Sequence, residues 1–195
     1  MYKFVKTVCS IFINIVFMPK FEGIENAESI EGGYHICPNH KSNWDALFAG
    51  VPQKKQLKFI AKDSLFRFPP MGWFFRKVGA YPIKRGQADI GAVKAAMTIL
   101  KEGYPLMMFP QGARLKTLEK SQGKNGAAML AIKMQVPVLP IGISGRYIPF
   151  SRPVVRIGKP IYFDEYYGKR ATNEDLACAT DRIMEEIINL VNGGK

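Results

Sequence analysis

Short apolar runs bounded by glycine and proline alternate along this chain with stretches whose apolar residues recur every three or four positions. The runs predict buried strands and the recurrences predict helices. Tyr34–Cys37, flanked by Gly32-Gly33 and Pro38, reads as a first strand, and Gln56–Ala61 as a second. Pro105–Phe109, Val136–Ile143 and Val154–Ile157 read as further strands. Ile90, Val93, Met97 and Leu100 predict a helix closed by Gly103, and 127–134 suits a short one. Thr172 with Asp175 forms a capping box opening a helix that turns Leu176, Ile183, Ile187 and Leu190 to the core. Between the first two strands, Asn39 is placed to cap a helix running through Asp45 to about Gly50. Strands alternating with helices define the class as α/β, a central mixed sheet covered by helices. Strand order is not readable from the pattern.

The N-terminus breaks this rhythm. Phe4 to Met18 is strongly apolar but interrupted by Lys6 and Asn14, and its 15 residues fall short of the roughly 20 a spanning helix needs. Residues 1–20 therefore read as an interfacial helix with Lys3, Lys6 and Lys20 at headgroup level, and 21–195 as a single domain. A helix packed on the protein's own core would carry the same pattern. The segment 66–86 is dense in aromatics and bases. It suits either a surface whose aromatics enter a headgroup layer or core aromatics under a basic face.

Composition sharpens this. With 28 Lys plus Arg against 16 Asp plus Glu, the net charge of +12 favours anionic partners: nucleic acid, anionic lipid or phosphorylated substrates. The chain carries no recognisable nucleic-acid motif, so that partner is not expected. Three scattered cysteines form neither a disulfide framework nor a zinc cluster and fit a reducing cytosolic compartment. With two histidines in all, a His-rich metal site is not expected, while a carboxylate-only magnesium site stays open; no metal ligand is singled out.

The chemistry concentrates in Asn39-His40-Lys41-Ser42-Asn43-Trp44-Asp45. Imidazole can take a proton from a hydroxyl near neutral pH, provided an acceptor fixes its other nitrogen as N–H. Asp45 could be that acceptor only if His40 precedes the helix, since five positions on an ideal helix turn the side chains about 140° apart. A capping histidine and a solvated helix acid would fit the same spacing. Two cationic turns follow elsewhere: Lys84-Arg85-Gly86, and Phe109-Pro110-Gln111-Gly112-Ala113-Arg114 at the end of a buried strand, where α/β folds place ligands. Guanidinium pairs phosphate through two parallel hydrogen bonds.

Taken in order, NHKSNWD, GAYPIKR, FPQGAR and VPVLPI resemble the four blocks of the glycerolipid acyltransferases, typified by 1-acylglycerol-3-phosphate (lysophosphatidic acid) acyltransferase. The resemblance spans about 33–143. It implies that His40, oriented by Asp45, deprotonates the acceptor hydroxyl of a lysophospholipid, which attacks an acyl thioester. Arg85, Gln111, Gly112 and Arg114 would line the glycerol-phosphate pocket. Acyl-CoA or acyl-carrier protein would be the donor, with no further cofactor, and the enzyme would sit peripherally on an anionic membrane at its cytoplasmic face. Gln111 and Ala113 stand where the family has glutamate and threonine. A carboxylate that held the acceptor or balanced the arginines would be missed, so Gln111→Glu is expected to alter acceptor selectivity or rate.

Overall fold

The computed structural model describes residues 1–83, 90–115 and 117–194, apart from the side chains of Lys62 and Ile83. Its seven strands are β1 (Lys20–Glu22), β2 (Tyr34–Pro38), β3 (Lys58–Lys62), β4 (Ala80–Ile83), β5 (Pro105–Met107), β6 (Val138–Ser144) and β7 (Val154–Ile157). They form one mixed sheet in the order β1-β7-β6-β2-β5-β3-β4, parallel throughout except for the antiparallel pair β6–β7. The helices are α1 (Tyr2–Val16), α2 (Ile24–Glu28), α3 (Asp45–Gly50), α4 (Pro69–Lys77), α5 (Ile90–Lys101), α6 (Gly126–Met134) and α7 (Asn173–Val191).

β2 lies in the middle of the sheet with all five residues buried, which its uninterrupted apolar run anticipates. Ile36 joins the core under α1 and α3 with Ile13, Phe17 and Phe48. Cys37, the next residue along, joins the opposite core under α6 and α7 with Ala128, Ile183 and Ile187. This alternation is the period of a pleated strand covered on both faces. Helix α7 opens on the expected Thr172–Asp175 capping box and lies so close to β6 that a Cβ on Gly142 would come within 2.5 Å of Leu190.

Two expectations need correction. The basic-aromatic stretch, to which the pattern assigned no regular element, holds a helix, α4, and a strand, β4. Pro69 and Pro70 are tolerated in the first helical turn, where N–H groups lack intrahelical partners, and Gly79 at φ 95° makes the tight exit. Asn39 does not cap α3. Its buried amide donates to the Ile143 carbonyl and accepts from the Ile143 N–H, tying the end of β2 to β6. The helix starts only at Asp45, with Trp44 at its N-cap.

Helix α1 packs one side on the protein's own core and leaves the other apolar side exposed. Ile13 and Phe17 are buried in the core, while Phe4 (72% exposed), Val8, Ile11 and Ile15 face outward. None of the described helices is long and apolar enough to cross a membrane.

Candidate active site

Parallel pairing of β2 with β5 and β6 brings the C-terminal ends of three strands to one edge. The loops leaving them carry His40, the Phe109–Arg114 turn and Tyr147. Residues 39–44 are not helical, so His40 escapes the geometric objection to pairing with Asp45. His40 Nδ1 lies 3.0 Å from Asp45 Oδ2. The same carboxylate oxygen accepts from the backbone N–H groups of Lys41 and Ser42, both at 2.7 Å, and Oδ1 accepts from the Tyr147 hydroxyl at 2.5 Å. Asp45 is fully buried, and these four donors replace its lost hydration.

The segment after β5 holds His40 from the other side. Phe109 stacks on the imidazole with centroids 3.7 Å apart, the Gln111 Oε1 accepts from the His40 N–H at 2.8 Å, and the Leu115 N–H donates to the His40 carbonyl at 3.0 Å. Ring plane and both backbone groups are thereby fixed. The ring stays 17% accessible, and among the described residues nothing bonds Nε2. The arrangement can present a neutral Nε2 to a hydroxyl and stabilise the imidazolium that forms on proton transfer. The other histidine, His35, is fully buried with neither ring nitrogen bonded among the described residues, and burial pulls its pKa down to about 4. It is a core residue without access to a ligand.

The cationic residues are divided. Arg114 is exposed at the rim, its Nη1 donating to Asn43 Oδ1 at 3.2 Å, so it sits against the His40–Asp45 loop. Gly112, at φ 69°, faces the Lys124 side chain, which would meet a Cβ there at 3.1 Å. The glycine therefore leaves room for a second cation that the sequence did not single out. Arg85 lies outside the described residues; β4, two residues before it, runs parallel to β3 and so ends at the same edge. Lys41 turns away, donating to the Gly145 carbonyl at 2.9 Å over the Tyr147 ring. Its burial lowers the ammonium's pKa, with Asp45 pulling the other way. Among the described residues no group of three or more His, Cys, Asp or Glu could hold a metal ion.

Gln111 does not open onto the rim. It is 3% exposed, with Oε1 on His40 and Nε2 on Gln122 Oε1 at 3.4 Å. Gln122 is itself anchored, because its Oε1 accepts from the Glu119 N–H. A carboxylate at 111 would keep the bond to His40 but set oxygen against oxygen at Gln122. Gln111→Glu is thus expected to lower stability by roughly 1–3 kcal/mol. Rate should change by at most about tenfold (about 1.4 kcal/mol in the barrier), with similar effects on every acceptor. Thermal melts and kinetics with several lysolipids check this, and an unchanged melting temperature would contradict the crowded geometry.

Tyr147 was missed altogether. It lies 102 residues from Asp45, in no motif, and only the β6–β2 pairing brings it near. Burial, and secondarily the Asp45 carboxylate, push its phenol far above the usual value, which keeps it a donor across the working pH range.

Beside the dyad opens a cavity of about 860 Å³, the size of a small-molecule site. It begins at Phe109, Gly112 and Lys124, and runs along Leu47 and Phe59 to Phe75 of α4 and Val5 of α1. The walls are mainly apolar, and Lys6, whose ammonium burial lowers, caps the Gln53 carbonyl at the α1 end.

The chain is thus an α/β protein with a His-Asp pair at the strand ends of its sheet and an apolar cavity beside it. The fold matches the crystal structure of the 1-acyl-sn-glycerophosphate (LPA) acyltransferase PlsC from Thermotoga maritima with a TM-score of 0.67, at 23% identity, covering 96% of this chain and 79% of that one. The acyltransferase family model matches residues 19–144, and the chain belongs to that family. Among relatives, it is 31% identical to the chloroplastic 1-acyl-sn-glycerol-3-phosphate acyltransferase of Brassica napus, over 96% of this chain and 56% of that protein. It is 30% identical to the enzyme of the same name from Streptococcus pneumoniae, over 80% of this chain and 60% of that protein. The Bacillus subtilis enzyme of that name is 26% identical over 98% of both chains. The chain thus spans little more than half the length of the first two and nearly all of the third.

Proposed function

We propose that this protein moves a fatty-acyl group from an acyl thioester to the free hydroxyl of 1-acylglycerol-3-phosphate, giving phosphatidic acid. The observation that carries the reading is the 3.0 Å contact between His40 Nδ1 and the fully buried Asp45, on a ring that stays 17% accessible and stacks on Phe109, which lines the apolar cavity. Nε2 takes the proton of the acceptor hydroxyl as its oxygen attacks the thioester carbonyl. The tetrahedral adduct then collapses, expelling the thiolate, to which the imidazolium returns the proton. Asp45 keeps the tautomer and balances the transient positive charge. Arg114 and Lys124, with Arg85 by resemblance, meet the glycerol phosphate, and the cavity takes an acyl chain. The relatives' names support the acceptor. Coenzyme A and acyl-carrier protein both present a phosphopantetheine thioester and are the two candidate donors.

The outward apolar face of α1, with Lys3 and Lys20 near its ends, supports peripheral attachment to an anionic membrane at the cytoplasmic face. A second acceptor class is favoured by one observation, the exposed Ala113 standing beside Gly112 where the family has threonine. The test is purified protein with each donor and with 1-acylglycerol-3-phosphate, its choline ester and glycerol 3-phosphate as acceptors, analysed by mass spectrometry. Phosphatidic acid is the expected main product. Preference for the choline ester would move the assignment to the second acceptor class, and no acyl product with any pair would overturn both.

A further inference from the structure

The loop between β6 and β7, Gly145-Arg146-Tyr147-Ile148-Pro149-Phe150-Ser151-Arg152-Pro153, is built to display apolar side chains. Ile148 is 54% exposed and Phe150 69%. Phe150 and Arg152 both adopt left-handed backbone, at φ 62° and 52°, which side chains of this size rarely do. The conformation is held from two sides. The Phe150 N–H donates to the Val16 carbonyl at 2.7 Å and the Arg152 N–H to the Phe17 carbonyl at 3.0 Å, satisfying the C-terminal end of α1. Within the loop, Ser151 bonds back to the Arg146 and Ile148 carbonyls. Two prolines stiffen it. A fold that spends strained backbone to hold a phenylalanine in the open is displaying it.

From this we infer that the loop is a second lipid-surface contact, beside α1, with Ile148 and Phe150 entering the headgroup layer of an anionic bilayer. The inference rests on the reading of α1 as a helix lying on that surface, and extends it to a segment outside the helix. Three observations favour lipid over another occupant. The loop is hydrogen-bonded to the end of α1 where Ile15 and Met18 are also exposed, so the two apolar surfaces are continuous. Arg146 and Arg152 flank the apolar tip, and neither the loop nor α1 contains an acidic residue. Tyr147, one position before Ile148, reaches back to Asp45, so the contact sits next to a site whose proposed substrates are lipids.

The experiment is flotation with vesicles of phosphatidylcholine and phosphatidylglycerol, comparing three proteins. Phe150→Asn with Ile148→Ser removes the tip while keeping a residue at 150 that tolerates left-handed backbone. Phe4→Ser with Ile15→Ser removes the helix face instead. Thermal melts confirm that each is folded. The loop variant is expected to bind at least about tenfold more weakly than the wild type, given the apolar area withdrawn from the bilayer. Wild-type binding by the loop variant while the helix variant is weakened would overturn the loop contact and leave the membrane reading standing. Equal binding by all three proteins, or none by the wild type, would overturn both.

A second measurement does not depend on loss of function. Phe150→Trp in a Trp73→Phe background should show added fluorescence quenching by vesicles of brominated phosphatidylcholine; no added quenching counts against insertion. If the loop variant keeps its vesicle binding but loses acyl transfer from acyl-carrier protein alone, the tip is a protein-docking site and the lipid assignment is wrong.

Discussion

His40→Ala is expected to lower kcat by about 10²–10⁴-fold, the range a positioned general base contributes, with little change in KM. The prediction separates chemistry from folding because of what the ring touches. Its Nδ1 provides one of four donors to Asp45, and the Lys41, Ser42 and Tyr147 donors remain after truncation. The buried carboxylate is not abandoned, so no unpaired charge is created. Loss of the stack on Phe109 removes some packing at a site already partly open to solvent. A fall of about 1 kcal/mol, or roughly 2–4 °C in melting temperature, is the expected scale for a chain of this length. Activity above a tenth of wild type with either donor would refute the general-base role. A collapse in melting temperature would mean instead that the ring is structural.

How far the site could be read from the chain depends on the distance over which its parts are assembled. His40 and Asp45 lie in one seven-residue block, and the chemistry of an imidazole with a carboxylate acceptor is legible there without a fold. Their contact depended on whether residues 39–44 were helical, and the deciding interaction was the Asn39–Ile143 clamp, which involves a strand a hundred residues on. Asn39 looked like a helix cap because asparagine suits both roles. Gln111 was misplaced for a related reason. Its motif shows that it sits near an arginine at a strand end, but not that its amide turns inward to the His40 backbone. Tyr147 had no local signal at all.

The fold shows the same division. Apolar runs such as Val138–Ser144 announce themselves because both sheet faces are covered, and the Thr172–Asp175 box marks the start of α7 through local bonds. In the stretch from Phe66 to Gly79, paired prolines, glycines and closely spaced aromatics obscure the helical period. There, packing of α4 against β4 and the preceding 3₁₀ turn fixes the structure. Propensity alone would not have chosen it.

Asp45→Asn should be the more damaging change for the molecule as a whole, because it strikes both chemistry and stability. In the native protein Oδ2 accepts three N–H groups and Oδ1 a phenol, each strengthened by the negative charge. An isosteric amide can turn its oxygen to the two backbone N–H groups and its NH₂ to Tyr147, whose hydroxyl can rotate to accept. The fold therefore survives with neutral hydrogen bonds, at an expected cost of about 1–3 kcal/mol. Catalysis fares worse. A neutral partner gives the imidazolium no countercharge, so a loss on the order of 10³-fold in kcat is expected, approaching the scale seen when a triad aspartate is made neutral.

Tyr147→Phe is the milder relative of this change: it leaves the charge in place but strips one donor from a buried oxygen, and should cost about tenfold in rate, equivalent to about 1.4 kcal/mol. The decisive comparison is the double variant His40→Ala with Asp45→Asn. If Asp45 acts only through the imidazole, the double variant will be no slower than His40→Ala alone, while its melting temperature falls somewhat below that of Asp45→Asn. Multiplicative rate losses would show that the carboxylate meets the substrate independently, and the orienting role assigned to it would fail.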